Sequence, residues 1–379
     1  MNVTCQQEQL ARGLSLVGRA VATRSTLPVL ANILMATDDS RLRLSATNLE
    51  VGITYWMPVQ VDSPGAITVP ARLLSDFVNS LPASQVVMTL DERTQTLRLC
   101  ADRYDAEVKG IDAADFPVLP TVEQGLRFSL ATSGLREMIS RVTVAAASDE
   151  SRPILTGILT QLDPDAGLMT LAAADGFRLS VFRDEFHAPL PGPISIIVPA
   201  RALVELARVM SDEDTEVDVA ITDTLSQILF RTRNVDLVSQ LISGSFPDYE
   251  KIMPSHHTIR VVTNTKALHG AVRMASFFAR DAANVVRLEL RPGTEESPGT
   301  VQVSAQAAEV GANHGEVEAA IDGGPLEIAF NAKYLLDILT VIGTDQITVE
   351  LSTASSPGVF RAVGDQAFTH VIMPMHIGR

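Results

Sequence analysis

The sequence predicts an α+β chain made of three tandem copies of one domain, each with two helices packed against antiparallel sheets. Three observations predict it. The tetrapeptide Val69-Pro70-Ala71-Arg72 recurs as Val198-Pro199-Ala200-Arg201, and Phe330-Asn331-Ala332-Lys333 is a looser third copy. The alanines of the three copies are spaced by 129 and 132 residues, which is the size of a domain and too long for a solenoid unit. Each copy is entered by an apolar, strand-like run (Ala66-Ile67-Thr68, Ile194 to Ile197, Leu326 to Ala329) and left by a helix-like one (Leu73 to Val78, Ala202 to Ala207, Tyr334 to Leu339).

In copy one, a short strand over 2–5 leads to a helix over about 7–22, where Leu10, Leu14, Val17 and Val21 recur at helical spacing. Thr23 to Pro28 breaks it, and strands follow over 29–36, 41–46 and 51–61. A second helix is predicted over 71–81, then strands over 86–90, 96–100 and 104–111. Copy two repeats the order, with helices over 133–146 and 200–210. Arg152-Pro153-Ile154-Leu155 echoes Leu27 to Leu30, and Phe246-Pro247 falls 130 residues after Phe116-Pro117. Copy three has helices over 266–279 and 331–342, strands over 285–290, 300–305 and 367–373, and an exposed turn over 291–299. The domains are expected at 1–122, 125–254 and 256–379, joined near Leu119-Pro120 and Met253-Pro254-Ser255.

The formal charge of −15 argues, taken alone, against a nucleic-acid partner. The charges are not evenly spread. The six helical stretches, counted with Arg280 at the end of the fifth, hold eleven bases (Arg12, Arg19, Arg72, Arg136, Arg141, Arg201, Arg208, Lys266, Arg273, Arg280 and Lys333) against five acids (Glu8, Asp76, Glu137, Glu205 and Asp337). That net of +6 leaves −21 for the rest of the chain. The count fits two readings: ordinary solvated helix faces, or a polarised molecule that meets DNA phosphates on a basic helical face only.

Catalytic signatures are missing. The sequence has no phosphate-binding Gly-x-x-x-x-Gly-Lys-Ser/Thr, no Gly-x-Ser-x-Gly and no His-Glu-x-x-His. Cys5 and Cys100 lack zinc-ligand spacing and read as two buried thiols in a reducing compartment. His256-His257 read as linker residues beside Pro254, and Asp38-Asp39 and Asp212-Glu213-Asp214 as turn acids. Asp175 reads as a turn or binding-loop residue. No cofactor, metal site or active site is expected. The first residues have no basic and apolar leader pattern, and no apolar run reaches the roughly 18 residues that span a bilayer, so a soluble, cytoplasmic protein without a membrane partner is expected.

Six strings in register over the whole chain carry a resemblance. Thr26-Leu27-Pro28-Val29-Leu30, Val69 to Arg72, Ala174-Asp175-Gly176-Phe177-Arg178-Leu179, Phe246-Pro247-Asp248-Tyr249, Phe330 to Tyr334 and Val371-Ile372-Met373-Pro374-Met375 resemble the bacterial beta sliding clamp family, the processivity subunits of DNA polymerase III. The resemblance implies a non-catalytic, ring-forming homodimer of DNA-clamp domains. Helices would line a hole holding double-stranded DNA, a clamp loader would open the ring, and the polymerase III alpha subunit, other polymerases and repair proteins would dock a short peptide. A specialised clamp copy, acting as a decoy or resistance copy, is the alternative.

By matching positions, the resemblance assigns a peptide pocket to Leu155, Gly176, Phe177, Arg178, Leu179, Pro247, Lys251 and Ile252 on one side. Asn331, Tyr334, Val371, Ile372, Met373, Pro374 and Met375 form the other. It assigns DNA contacts to Arg24, Arg72, Arg152, Arg201 and Lys333, and subunit closure to Ala106, Val108, Phe277 and Phe278, with one of the two phenylalanines expected in the core. The chain departs from the family pattern at Ala174, Phe177, Lys251 and His376, and in the added tail Ile377-Gly378-Arg379.

Overall fold

Among the described residues, six α-helices follow the strand-like runs: α1 (Gln7–Val17), α2 (Ala71–Ser80), α3 (Thr132–Val142), α4 (Ala200–Val209), α5 (Thr265–Ala279) and α6 (Ala332–Val341). The structure, a computed structural model, describes residues 1–122, 125–295, 297–309 and 311–376. The Ile377-Gly378-Arg379 tail and Glu296 of the predicted 291–299 turn lie outside the described residues. Each repeated tetrapeptide is a strand-to-helix junction: Ala66–Pro70 runs into α2, Ile194–Pro199 into α4, and Leu326–Asn331 into α6. The proline or asparagine ends the strand, and the alanine opens the helix.

The first helices of copies one and two are shorter than the periodicity predicts. α1 stops at Val17 and continues as a 3-10 turn, Gly18–Ala20, and α3 stops at Val142 before a 3-10 turn, Thr143–Ala145. The apolar spacing continues through these tighter turns, so periodicity alone does not see the change. Pro28 and Pro153 likewise open 3-10 turns (Pro28–Ala31, Pro153–Thr156), and the first takes residues 29–31 out of the strand predicted over 29–36. Gly311–Asp322, a twelve-residue strand, is absent from the sequence expectation because its glycines and polar residues mask the alternation.

The chain folds as two compact units. One comprises residues 1–133 and 201–241, with a five-stranded and an eight-stranded antiparallel sheet. In the eight-stranded sheet, Val51–Pro58 of copy one pairs with Val235–Gln240 of copy two. The other unit comprises residues 134–200 and 242–379, with a single twelve-stranded sheet. There Arg178–Glu185 of copy two pairs with Phe368–Ile372 of copy three. Neighbouring copies thus continue one another's sheets, which removes edges that single copies would leave open.

Within each unit the core is conventional. Leu10, Leu14 and Val17 of α1 and Leu74 and Val78 of α2 are buried in the first. In the second, Phe330 meets Phe360 edge-on with ring centres 5.8 Å apart, a favoured aromatic geometry. Cys5 is buried and its thiol pKa is pushed up to about 12 by burial, whereas Cys100 is only half-buried, contrary to expectation.

Candidate functional site

The second unit contains a loop built around one carboxylate. Asp175 Oδ1 accepts the backbone N–H groups of Phe177 and Arg178 at 2.9 and 3.1 Å, closing a tight turn. Gly176 takes φ +93°, which side-chain-bearing residues rarely adopt. The turn leaves Phe177 57% exposed while Arg178 is buried. Burying a guanidinium demands partners, and they are present. Nε of Arg178 donates to Asp175 Oδ2 at 3.0 Å and Nη1 donates to Asp337 Oδ2 of α6 at 2.5 Å. The guanidinium also lies over the ring of Tyr334, 4.3 Å from its centre. The Tyr334 hydroxyl is held above the ordinary tyrosine pKa, chiefly by burial and then by the nearby Asp175 charge.

The C-terminal segment is pinned against this loop. Met373 N–H donates to Phe177 O and Met375 N–H donates to Ala329 O, both at 2.8 Å. The next face over is apolar. Leu179 and Val371, paired across neighbouring strands, join Ala174, Val181, Val359 and Tyr249 in one buried cluster. Ile154, Ile242, Phe246 and Met253 pack on it. At the surface Phe177, Ile252 and Met373 remain exposed, and Leu155, Pro374 and Met375 are half-buried.

The loop, the 3-10 turn, the 246–253 segment, α6 and the C-terminal strand thus hold the fifteen residues expected to form the pocket. Four stand differently from the expectation, and two of them, Leu179 and Val371, are 1% exposed and lie beneath the site's surface. Ile372 has no exposed surface. It lies opposite Arg178 in the sheet, so it supports the site from inside and offers no surface. Lys251 is exposed and pairs with Asp248 at 2.8 Å, which raises the lysine pKa. Sequence reading missed Asp337, whose role depends on α6 lying over the sheet. It also missed His370, fully buried, whose Nδ1 is 2.7 Å from Ser180 Oγ. Burial, and then the Arg178 charge, lower the His370 pKa to about 3.

The expected DNA residues fall into two groups. Arg72, Arg201 and Lys333 are each the second residue of α2, α4 and α6, and all three are exposed. Arg24 is exposed in the loop after α1, and Arg201 Nη2 donates to Arg19 O at 3.2 Å. Arg152 stands apart: a Cβ added at Gly176 would lie 2.9 Å from its Nη1, so it belongs to the loop of the apolar site. The helix charge count also overstates the free surplus. Arg141 is buried between Glu137 at 2.7 Å and Asp365 at 2.9 Å, and Glu205 takes both Arg208 at 2.7 Å and Arg19 at 3.6 Å.

Of the expected closure residues, Ala106 and Val108 sit on Tyr104–Lys109, the last strand of the five-stranded sheet. Val108 is buried within its own sheet and Ala106 is half-buried. The expectation that one of Phe277 and Phe278 fills the core is corrected. The buried stripe of α5 runs through Leu268, Val272, Ala275 and Ala279, leaving Phe277 47% exposed and Phe278 half-buried. His256 and His257 are exposed, and among the described residues no group of His, Cys, Asp and Glu is arranged to hold a metal ion. No helix of the described residues is long and apolar enough to cross a membrane.

Comparison with known proteins covers the same span. Family models described as the N-terminal, central and C-terminal domains of the DNA polymerase III beta subunit match residues 1–120, 129–248 and 250–376. Beta sliding clamps of Synechococcus elongatus and Pseudomonas aeruginosa are each 34% identical over 381 residues, covering all of both chains. A crystal structure of the Pseudomonas aeruginosa clamp bound to griselimycin aligns over both whole chains with a TM-score of 0.90 and 33% identity. The Bacillus subtilis clamp structure does so with a TM-score of 0.89 and 27% identity.

Proposed function

The chain belongs to the DNA polymerase III beta-subunit family and is a sliding clamp, a non-catalytic processivity factor; from that premise we propose how its own residues do the work. Three clamp domains, at 1–122, 125–254 and 256–379, make up one subunit in the cytoplasm. Two subunits close head to tail around double-stranded DNA after a clamp loader opens the ring. The polymerase III alpha subunit, other polymerases and repair proteins dock short peptides on the apolar site.

The observation that carries the DNA reading is the base at the second position of α2, α4 and α6. A cation in the first turn opposes the helix dipole and costs roughly 0.3–1 kcal/mol. Helix stability therefore does not call for Arg72, Arg201 or Lys333. An external polyanion does. Phosphate contacts carry no sequence information, so such a ring can slide. Arg24 joins this set. Arg152 supports the peptide loop instead.

The peptide site follows from its surfaces. Phe177, Ile252 and Met373 give an exposed apolar surface over the buried Leu179–Val371 cluster, and the methionine adapts to varied partners. Phe277, Phe278 and the Tyr104–Lys109 edge strand make the subunit joint, where a strand stands at the edge of its sheet and Phe277 keeps 47% of its surface exposed.

Retention on DNA tests the whole reading. Protein loaded onto a nicked circular plasmid should stay bound through gel filtration and be lost once the plasmid is linearised. Equal retention on circular and linear DNA would mean ordinary affinity binding and would overturn the ring.

A further inference from the structure

We propose that the sheet face forming the apolar site continues into a second, anion-binding subsite that takes carboxylate side chains from a partner's docking segment. The proposal rests on the peptide-docking reading and extends it. Side chains alternate along strands, so every second residue shares a face. Leu179, Val181 and Arg183 share one, and Val371 and Thr369 continue it on the paired strand. Val359 and Arg361 continue it further. Leu179, Val181, Val359 and Val371 lie in the apolar cluster. Arg183, Thr369 and Arg361 line a polar hollow of about 590 Å³. Met253 belongs to both, packing on the cluster and lining the hollow.

The hollow has more cation than its own acids use. Arg361 pairs with Glu350 and donates from Nε to Thr369 Oγ1 at 3.1 Å, and His257 Nδ1 is 3.7 Å from the same Glu350. Asp365 is held by Arg141 at 2.9 Å. Two guanidinium groups in the lining remain. Arg183 approaches Glu250, whose side chain is 70% exposed, at 3.7 Å, and its other contact is a hydrogen bond with the uncharged Tyr249 side chain. Arg260, opposite Glu350 in the sheet, makes no ion pair among the described residues. A guanidinium fork matches an oxyanion in shape as well as charge.

Free phosphate and a peptide carboxylate share that chemistry. Continuity favours the peptide. Arg183 lies four residues along the strand from Leu179, on the same face, about 13 Å at the usual strand rise. A docking peptide prolonged by roughly four or five extended residues spans that distance. The hollow would then read acidic residues flanking the apolar anchor.

The test uses the full chain and fluorescent peptides. A Gln/Leu/Phe clamp peptide is compared with versions carrying an acidic extension at either end, alongside a free acidic tetrapeptide. One extension should tighten binding about two- to fivefold, the range of a partly exposed charged contact. The gain should vanish in Arg183→Ala/Arg260→Ala, while the unextended peptide keeps its affinity. The acidic tetrapeptide should bind weakly, salt-sensitively and only to the unaltered chain. No gain from either extension, or a gain that survives the double substitution, overturns the proposal. If inorganic phosphate binds in an arginine-dependent way and the acidic probes do not, the hollow is a free-anion site and the proposal also falls. Failure of the unextended peptide alone would instead overturn the docking reading, with the tetrapeptide still reporting on the hollow.

Discussion

The guanidinium of Arg178 sits 4.3 Å from the centre of the Tyr334 ring, and Tyr334 comes from α6, in the next copy of the repeat. The stack and the carboxylates of Asp175 and Asp337 fix Arg178 from three directions. Copy one has the turn without the arginine. Asn48 in copy one makes the same turn, its Oδ1 accepting from Glu50 and Val51 N–H groups at 3.1 and 2.8 Å. Val51 stands where copy two has Arg178. The turn is a shared scaffold, and the arginine makes one copy of it a wall for a site.

Asp337→Ala should therefore separate scaffold from site. It removes one of two carboxylates from a buried guanidinium, at a cost of about 1–3 kcal/mol. We expect a lower melting temperature and a peptide affinity reduced about fivefold in calorimetry. A reduced melting temperature with unchanged peptide affinity would make the Arg178 cluster purely structural.

Arg24→Glu/Arg201→Glu should weaken DNA retention by at least about tenfold near physiological salt, since removing a cation that neutralises a phosphate also lowers the salt slope by about 0.9. Peptide affinity should not change. Arg201 also donates to Arg19 O, so Arg201→Lys, which keeps the charge, is the control and should retain most DNA binding. Equal loss of peptide and DNA binding would indicate damage to the fold.

Phe277→Asp should yield monomers of 40.7 kDa in sedimentation equilibrium. The residue is 47% exposed and leans on Arg280, 5.5 Å from its ring centre, so the substitution costs little within the subunit. Phe278→Asp should act the same way with a larger loss of melting temperature, because Phe278 is half-buried. A dimer surviving both changes would move the joint elsewhere.

Local signals made much of this legible in the sequence. Val-Pro-Ala-Arg announces a strand end and a helix start in one tetrapeptide, and three such junctions at domain spacing reveal the repeat. Asp175-Gly176 announces a tight turn through its side-chain acceptor and its glycine. What stayed hidden depends on pairing across copies. Arg178–Glu185 lies beside Phe368–Ile372, although some 190 residues separate them in the chain, and no local pattern records that pairing. Asp337 is the clearest case. It reads as one acid on a helix surface until the sheet brings Arg178 beneath it. Arg141 fails in the opposite sense: it counts as a helix base, yet the fold commits it to Glu137 and Asp365.

His370 gives the protein an acid-sensitive core. It is fully buried, Ser180 meets one ring nitrogen, and Nε2 has no hydrogen-bond partner among the described residues. Burial first, and the Arg178 charge second, lower its pKa from 6.5 to about 3. The unfolded chain therefore binds a proton that the folded chain refuses. Stability from this residue is fully present above pH 6.5 and is lost as pH falls toward 3, at about 1.4 kcal/mol per pH unit. Between pH 6.5 and 4.5 most carboxylates stay ionised, so His370 should dominate that interval with a loss of roughly 2–3 kcal/mol. His370→Gln, which cannot titrate, should flatten denaturant-derived stability across the interval even if it lowers the plateau. An unchanged slope in that variant would assign the acid sensitivity to other groups.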